Sequence, residues 1–138
     1  MLLRPRLTPA DDKARLIETI DHALNCWSTY APNLDRFRRE VRRSHGVPPW
    51  DVPIDMITVG SRFVLRSHHT GESICYCLVY PEAEAALDGM ISVITPMGMA
   101  LHGSRVGDRV AWVSAAGPEL ATVERLLYQP ERLVRHSG

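Results

Sequence analysis

Cys75-Tyr76-Cys77 and His68-His69 are neighbouring residues of types that could hold a metal ion. Side chains at i and i+2 of a strand share one face, and thiolates with imidazoles are a zinc donor set. The pair would need two further donors, and the histidines sit just across the turn HHTGE. Strand cysteines more often act as small buried hydrophobes, and a disulfide between i and i+2 of a strand is geometrically poor. We therefore expect no metal site, buried cysteines, and histidines that decorate a hairpin turn. GMALHGS (98–104) mimics a phosphate loop but lacks its lysine, and its glycines flank a helix instead of preceding one. No Ser/His/Asp or Cys/His combination stands at a recognisable spacing, so the expectation is a protein that is not an enzyme and uses no cofactor.

Charge is the other candidate chemistry. RFRREVRRSH sets Arg36, Arg38, Arg39, Arg42 and Arg43 against Asp35 and Glu40 on one helix. Two readings stand: an electropositive face for an acidic surface or nucleic acid, or an ordinary solvated face. The excess is local, because sixteen basic and sixteen acidic residues cancel over the chain and its pI is near 7.0. No global field would draw the whole protein to DNA or a membrane. Hydrophobic content of 45% and charged content of 23% are globular values. Three cysteines (Cys26, Cys75, Cys77) are too few for a disulfide scaffold and favour a reducing compartment. With no long apolar run and no signal-peptide core at the N-terminus, a soluble cytoplasmic protein is expected.

The elements that would position these residues fall into two kinds. Thr8-Pro9 suits an N-cap and first helical position, with Asp11 and Asp12 in the first turn. Ile17, Ile20, Leu24 and Trp27 then form one stripe, and Leu34, Phe37 and Val41 a second after TYAPN. Facing stripes joined by a short link predict an antiparallel helical hairpin over residues 1–46, its second helix running Asn33 to His45. A Pro-rich linker follows at 47–55. Short strands are predicted at Thr58–Arg66, Ser73–Tyr80, Met90–Ile94, Arg109–Ser114 and Thr122–Gln129, within a domain at 56–130, before a tail at 131–138. PEAEAALDG has room for one helical turn. Thr95-Pro96 is a second N-cap and first-position pair, opening a short apolar helix that ends at Gly103. Gly98 inside it costs about 1 kcal/mol against alanine, which implies a close backbone approach. His102 on this helix is expected to be half-buried.

Ile91-Ser92, Thr95-Pro96, Ala100-Leu101-His102-Gly103 and Val106-Gly107-Asp108 follow one another in an order and spacing that resemble the C-terminal domain of the Gre transcript-cleavage factor family. TVGSRFVLR and the LVYP of Leu78 to Pro81 fit that domain's first strands. The resemblance runs from about Val52 to Glu131. LLYQPE and VPIDMITVGSR look like the small subgroup called regulator of nucleoside diphosphate kinase. The resemblance implies an α+β fold: a short antiparallel hairpin, then an FKBP-like curved antiparallel sheet around a short packed helix. It also implies a partner, bacterial RNA polymerase, bound at the secondary-channel rim through Thr95 and Pro96, with Ile94 and Met97 beside them.

In the longer factors of the family an Asp and a Glu at the hairpin tip hold magnesium at the polymerase active site. Here the tip TYAPN carries no carboxylate; Asp35 lies one turn beyond it and Asp21 back along the first helix. The expected function is thus a non-catalytic elongation regulator that competes with longer cleavage factors. Nucleic acid would be met only through polymerase, with no membrane, no small-molecule substrate and a monomeric free state. A peptidyl-prolyl isomerase-like or peptide-binding module is the alternative that the topology suggests. It would need an open pocket lined by Phe63, Tyr76, Tyr80, Trp112 and Tyr128, although at least half of these should be core.

Overall fold

Apolar stripes decide how the N-terminal third folds. In the computed structural model, which describes residues 6–26 and 31–132, helix α1 (Ala10–Cys26) buries Leu16, Ile20 and Ala23, with Ile17 and Leu24 packed alongside. The buried face is thus rotated slightly from the expected Ile17–Ile20–Leu24 line. Trp27 lies outside the described residues. Helix α2 (Ala31–Arg43) buries the expected stripe: Leu34, Phe37 and Val41 are at most 2% exposed. Each such burial contributes about 1.5–3 kcal/mol.

Thr8 and Pro9 do not open α1. They belong to strand β1 (Leu7–Pro9), which pairs in parallel with β2 (His45–Val47) just past the end of α2. The Thr8 hydroxyl donates to Ser44 Oγ at 2.8 Å and Lys13 Nζ donates to the Ser44 carbonyl at 2.9 Å. The two open ends of the hairpin are thereby tied together, so the helix begins one residue later than its sequence signal. Between Val47 and Asp55 the prolines form a 3-10 turn at Pro49–Asp51.

The main sheet holds β3 (Arg62–Ser67), β4 (Ser73–Val79), β5 (Met90–Ser92), β6 (Arg109–Ser114) and β7 (Gly117–Tyr128) in the order β5-β4-β3-β7-β6. All pairings are antiparallel except β4 with β5, which is parallel. Two register shifts in the β3–β7 ladder bend the long β7 and curl the sheet. β3 starts later than Thr58 because Thr58 and Ser61 close a turn: Ser61 Nα–H donates to the Thr58 carbonyl at 3.0 Å, and Gly60 takes φ +94°. The stretch after β4 makes two 3-10 turns, Pro81–Ala83 and Ala86–Asp88.

Alternation along β4 sends Tyr76 and Leu78 to the core face and Cys75 and Cys77 to the opposite face. Cys75 is exposed and Cys77 partly so. The expected buried cysteines are therefore corrected: period 2 puts both on the face that no helix covers. Helix α3 (Pro96–Leu101) lies on the inner face, where Leu101, Val93, Phe63 and Leu78 meet Leu16, Ile20, Phe37 and Val41 in one continuous core.

Candidate functional site

The start of α3 is a tightly specified turn. Thr95 has extended backbone (φ −79°, ψ 158°), and its hydroxyl accepts from Gly98 Nα–H at 3.0 Å while donating to the Ser92 carbonyl at 2.7 Å. Pro96 fills the first helical position, where its missing N–H costs nothing. Gly98 packs on the end of β5: a Cβ there would stand 2.0 Å from the Ser92 carbonyl oxygen and 2.8 Å from Val93 Cα. The predicted close approach is therefore real. Thr95, Pro96 and Met97 are half-buried and accessible, whereas Ile94 is 5% exposed and belongs to the core.

Pro96, Met99 and Ala100 form one wall of a cleft of about 590 Å³; Arg36, Phe37 and Glu40 of α2 form the facing wall. The edge strand β6, from Arg109 to Val113, makes its floor with Trp112. Tertiary packing thus joins the capped turn to one member of the arginine cluster.

The arginines separate into two groups. Arg38 donates to Asp21 Oδ1 at 2.9 Å and to Asp35 Oδ1 at 2.8 Å, which makes it a clamp between α1 and α2. Arg39 approaches Asp35 at 3.5 Å but remains mostly exposed. Arg36, Arg42 and Arg43 are exposed and take part in no ion pair among the described residues. The two carboxylates nearest the helix junction, Asp21 and Asp35, are the ones that the clamp engages.

Two seams that sequence spacing does not signal hold the hairpin on the sheet domain. At one, Arg6 donates to His102 Nδ1 at 3.0 Å, approaches Glu40 at 3.4 Å and lies over the Phe37 ring at 5.4 Å. His102 is 2% exposed, not half-buried, because Phe37 of α2 packs edge-on against its ring and Arg6 reaches across to it. Burial, and then the Arg6 charge, push its pKa down to about 3, so it is neutral and its Nδ1 accepts. At the other seam, Arg15 pairs with Glu82 at 2.6 Å and stacks on Tyr80 at 3.7 Å. Burial and the neighbouring Glu131 raise Asp12 to about 6.

The remaining sequence candidates do not assemble a site. His68 Nε2 meets Thr122 Oγ1 at 2.7 Å and His69 Nε2 meets the Pro118 carbonyl at 3.1 Å, tying the turn onto β7. No group of three or more His, Cys, Asp and Glu side chains able to hold a metal occurs among the described residues. Of the five aromatics, Phe63 and Tyr80 are buried; Tyr76 and Trp112 line a second cleft of about 350 Å³.

A family model described as transcription elongation factor, GreA/GreB, C-terminal, matches residues 52–126, more than half of the chain. The chain belongs to the GreA/GreB family. A regulator of nucleoside diphosphate kinase from Escherichia coli (strain K12) is 37% identical over 103 residues, covering 72% of this chain and 74% of that protein. A transcription elongation factor GreA from Sulfurovum sp. is 30% identical over 89 residues, 64% of this chain and 55% of its own length. A solved GreA/GreB transcription elongation factor from Nitrosomonas europaea superposes with a TM-score of 0.75 at 25% identity, over 89% of this chain and 99% of that one. The matched GreA/GreB span contains the capped turn, the cleft floor and the curled sheet, while the hairpin and its clamp precede it. Family membership marks the chain as a regulator of the transcription-elongation-factor type.

Proposed function

We propose that this GreA/GreB-family chain is a non-catalytic elongation regulator, acting in the cytoplasm, that binds bacterial RNA polymerase at the secondary-channel rim and competes there with longer cleavage factors. The contact falls to Thr95, Pro96 and Met97, a pre-formed turn that loses little conformational entropy on binding. Ile94 supports that turn from beneath. Arg36, Arg39, Arg42 and Arg43 supply the basic face, and nucleic acid is met only through the polymerase.

The observation that carries the non-catalytic reading is the Arg38 clamp. Transcript cleavage of the Gre type needs carboxylates delivered to a magnesium ion, with oxygen ligands at about 2.1 Å. Asp21 and Asp35 are both engaged by one guanidinium within the hairpin. Helix α2 has 13 residues, about 20 Å at 1.5 Å per residue, a short probe for a deep channel.

The test is a transcript-cleavage time course on stalled elongation complexes, run beside capture of the protein on core polymerase. The expected result is capture without cleavage, and inhibition of an added cleavage factor when this protein is in excess. Robust cleavage by the protein alone would overturn the reading, and failure of capture would remove the docking site.

A further inference from the structure

None of the residues that line the second cleft, of about 350 Å³, comes from α3 or from the hairpin. It occupies the end of the inner sheet face that those elements leave open. Strand register sets its floor. Phe63 in the core stands opposite Tyr76, and two residues along Leu65 stands opposite Ile74. Alternation turns Tyr76, Ile74 and Glu72 to this same face. The Ser67 N–H donates to the Glu72 carbonyl at 2.9 Å, so the β3–β4 pairing continues to that point. Across the sheet Trp112 stands opposite Glu119, and both line the cleft.

The cleft combines apolar surface with negative charge. Ile74 is 43% exposed, and Tyr76 and Trp112 are partly so. Two carboxylates line it, Glu72 and Glu119, and none of its lining residues is a lysine, arginine or histidine. Glu119 accepts from Ser114 Oγ at 3.2 Å. His69 Nε2 lies 4.0 Å from Glu119 but is already set against the Pro118 carbonyl at 3.1 Å. Among the described residues Glu72 is bonded only through its backbone, to Ser67 and to Thr70 Oγ1. Burial, and then the Glu119 charge, raise the Tyr76 phenol above its usual pKa.

We propose that this cleft is a docking site for a lysine or arginine side chain presented by a partner protein, its stem on Ile74, Tyr76 and Trp112 and its charged head met by Glu72 and Glu119. Long basic side chains carry an apolar stem and a charged tip, which matches both halves of the lining. Tryptophan and tyrosine rings attract cations, and a guanidinium also stacks on them. An anionic ligand would be repelled by the two carboxylates. A neutral apolar one would take water from them and give no partner in return. Trp112 and Glu119 also line the first cleft beside the Thr95-Pro96 turn, so the two clefts share a wall. The site is nonetheless defined by its own residues and does not depend on the polymerase reading.

The experiment follows the indole N–H signals of Trp27, Trp50 and Trp112 by NMR while the full chain is titrated. The probes are n-butylguanidinium, its neutral isostere n-butylurea, a blocked tripeptide with arginine at its centre, and spermidine. The cation is expected to shift the Trp112 signal saturably and leave Trp27 and Trp50 in place. The urea should bind at least about fivefold more weakly, and the tripeptide more tightly than the bare cation. Glu72→Gln and Glu119→Gln should each raise Kd by about two- to fivefold, as loss of one exposed ion pair. Unaltered thermal unfolding of both variants checks that the fold persists. No shift of Trp112 with the cation or the tripeptide overturns the site, and so does equal binding of the neutral urea. Indifference to both glutamine variants refutes recognition by charge. Spermidine bound more tightly than the tripeptide overturns the protein partner in favour of a free polyamine.

Discussion

Gly98→Ala should destabilise this protein even though alanine is the better helix former, and the sign of the effect is the test. Gly98 has no positive φ, so an alanine there meets no backbone strain and by helix propensity alone would stabilise by about 1 kcal/mol. Opposing this, the new Cβ would fall 2.0 Å from the Ser92 carbonyl oxygen and 2.8 Å from Val93 Cα, both backbone atoms that cannot rotate aside. Relief requires β5 and α3 to separate by more than an ångström. Overpacking of that kind costs about 1–3 kcal/mol. It also displaces the carbonyl that accepts from Thr95 Oγ1 and Nα–H, and loss of the cap costs about 1 kcal/mol more. The net expectation is roughly 2 kcal/mol of destabilisation, a fall in Tm of several degrees, on the order of 5–10 °C. Urea and thermal unfolding of the variant measure it, and polymerase capture should weaken in parallel because the Thr95-Pro96 turn moves. A Gly98→Ala protein as stable as its parent would refute the close-packed β5–α3 contact as the reason for glycine.

Pro96→Ala should cost about 1 kcal/mol or less of stability yet weaken capture on polymerase, which separates docking from folding. Reversing the exposed arginines (Arg36→Glu, Arg39→Glu and Arg43→Glu together) should weaken association, and added salt should weaken the parent complex; insensitivity to both would make this an ordinary solvated face. Arg38→Glu should instead loosen the hairpin, read as faster amide exchange in α1 and α2, since it places a third carboxylate beside Asp21 and Asp35. Asp12→Asn should stabilise the protein at pH 7.5 and do little at pH 4. The folded-state pKa near 6 exceeds the ordinary 3.8, so the folded state holds the proton more tightly and loses stability as pH rises from about 4 to about 6. His102 works in the opposite sense: with its folded pKa near 3 against an ordinary 6.5, stability is full above about 6.5 and is lost as pH falls toward 3. His102→Leu should therefore flatten the acid limb of a urea-midpoint profile against pH, and an unchanged limb would show that His102 is not the group responsible.

Local chemistry in the sequence was enough to determine the parts of this protein that depend on neighbours along the chain. The Leu34–Phe37–Val41 stripe, the Thr95 cap with Pro96 behind it, the tight seat of Gly98 and the β6 strand at Arg109–Ser114 follow from helical and strand periods and from capping. Motif order placed the sheet domain in its family for the same reason, since those motifs are short and contiguous. Other features depend on residues far apart, and only packing decided them. Thr8 carries the signature of a helix cap but serves β1, because its partner strand arrives 36 residues later beside Ser44. Five arginines on one helix read alike in the sequence; the fold spends Arg38 on Asp21, 17 residues away, and leaves Arg36 to face Pro96 across a cleft. Cys75 and Cys77 share a face on any strand, but which face is covered depends on where α3 and the hairpin settle, and they settled on the other one. His102 is buried by Arg6, 96 residues earlier in the chain. Pairings at such separations leave no periodic trace, because their energy comes from surfaces that meet only after the hairpin has packed on the sheet.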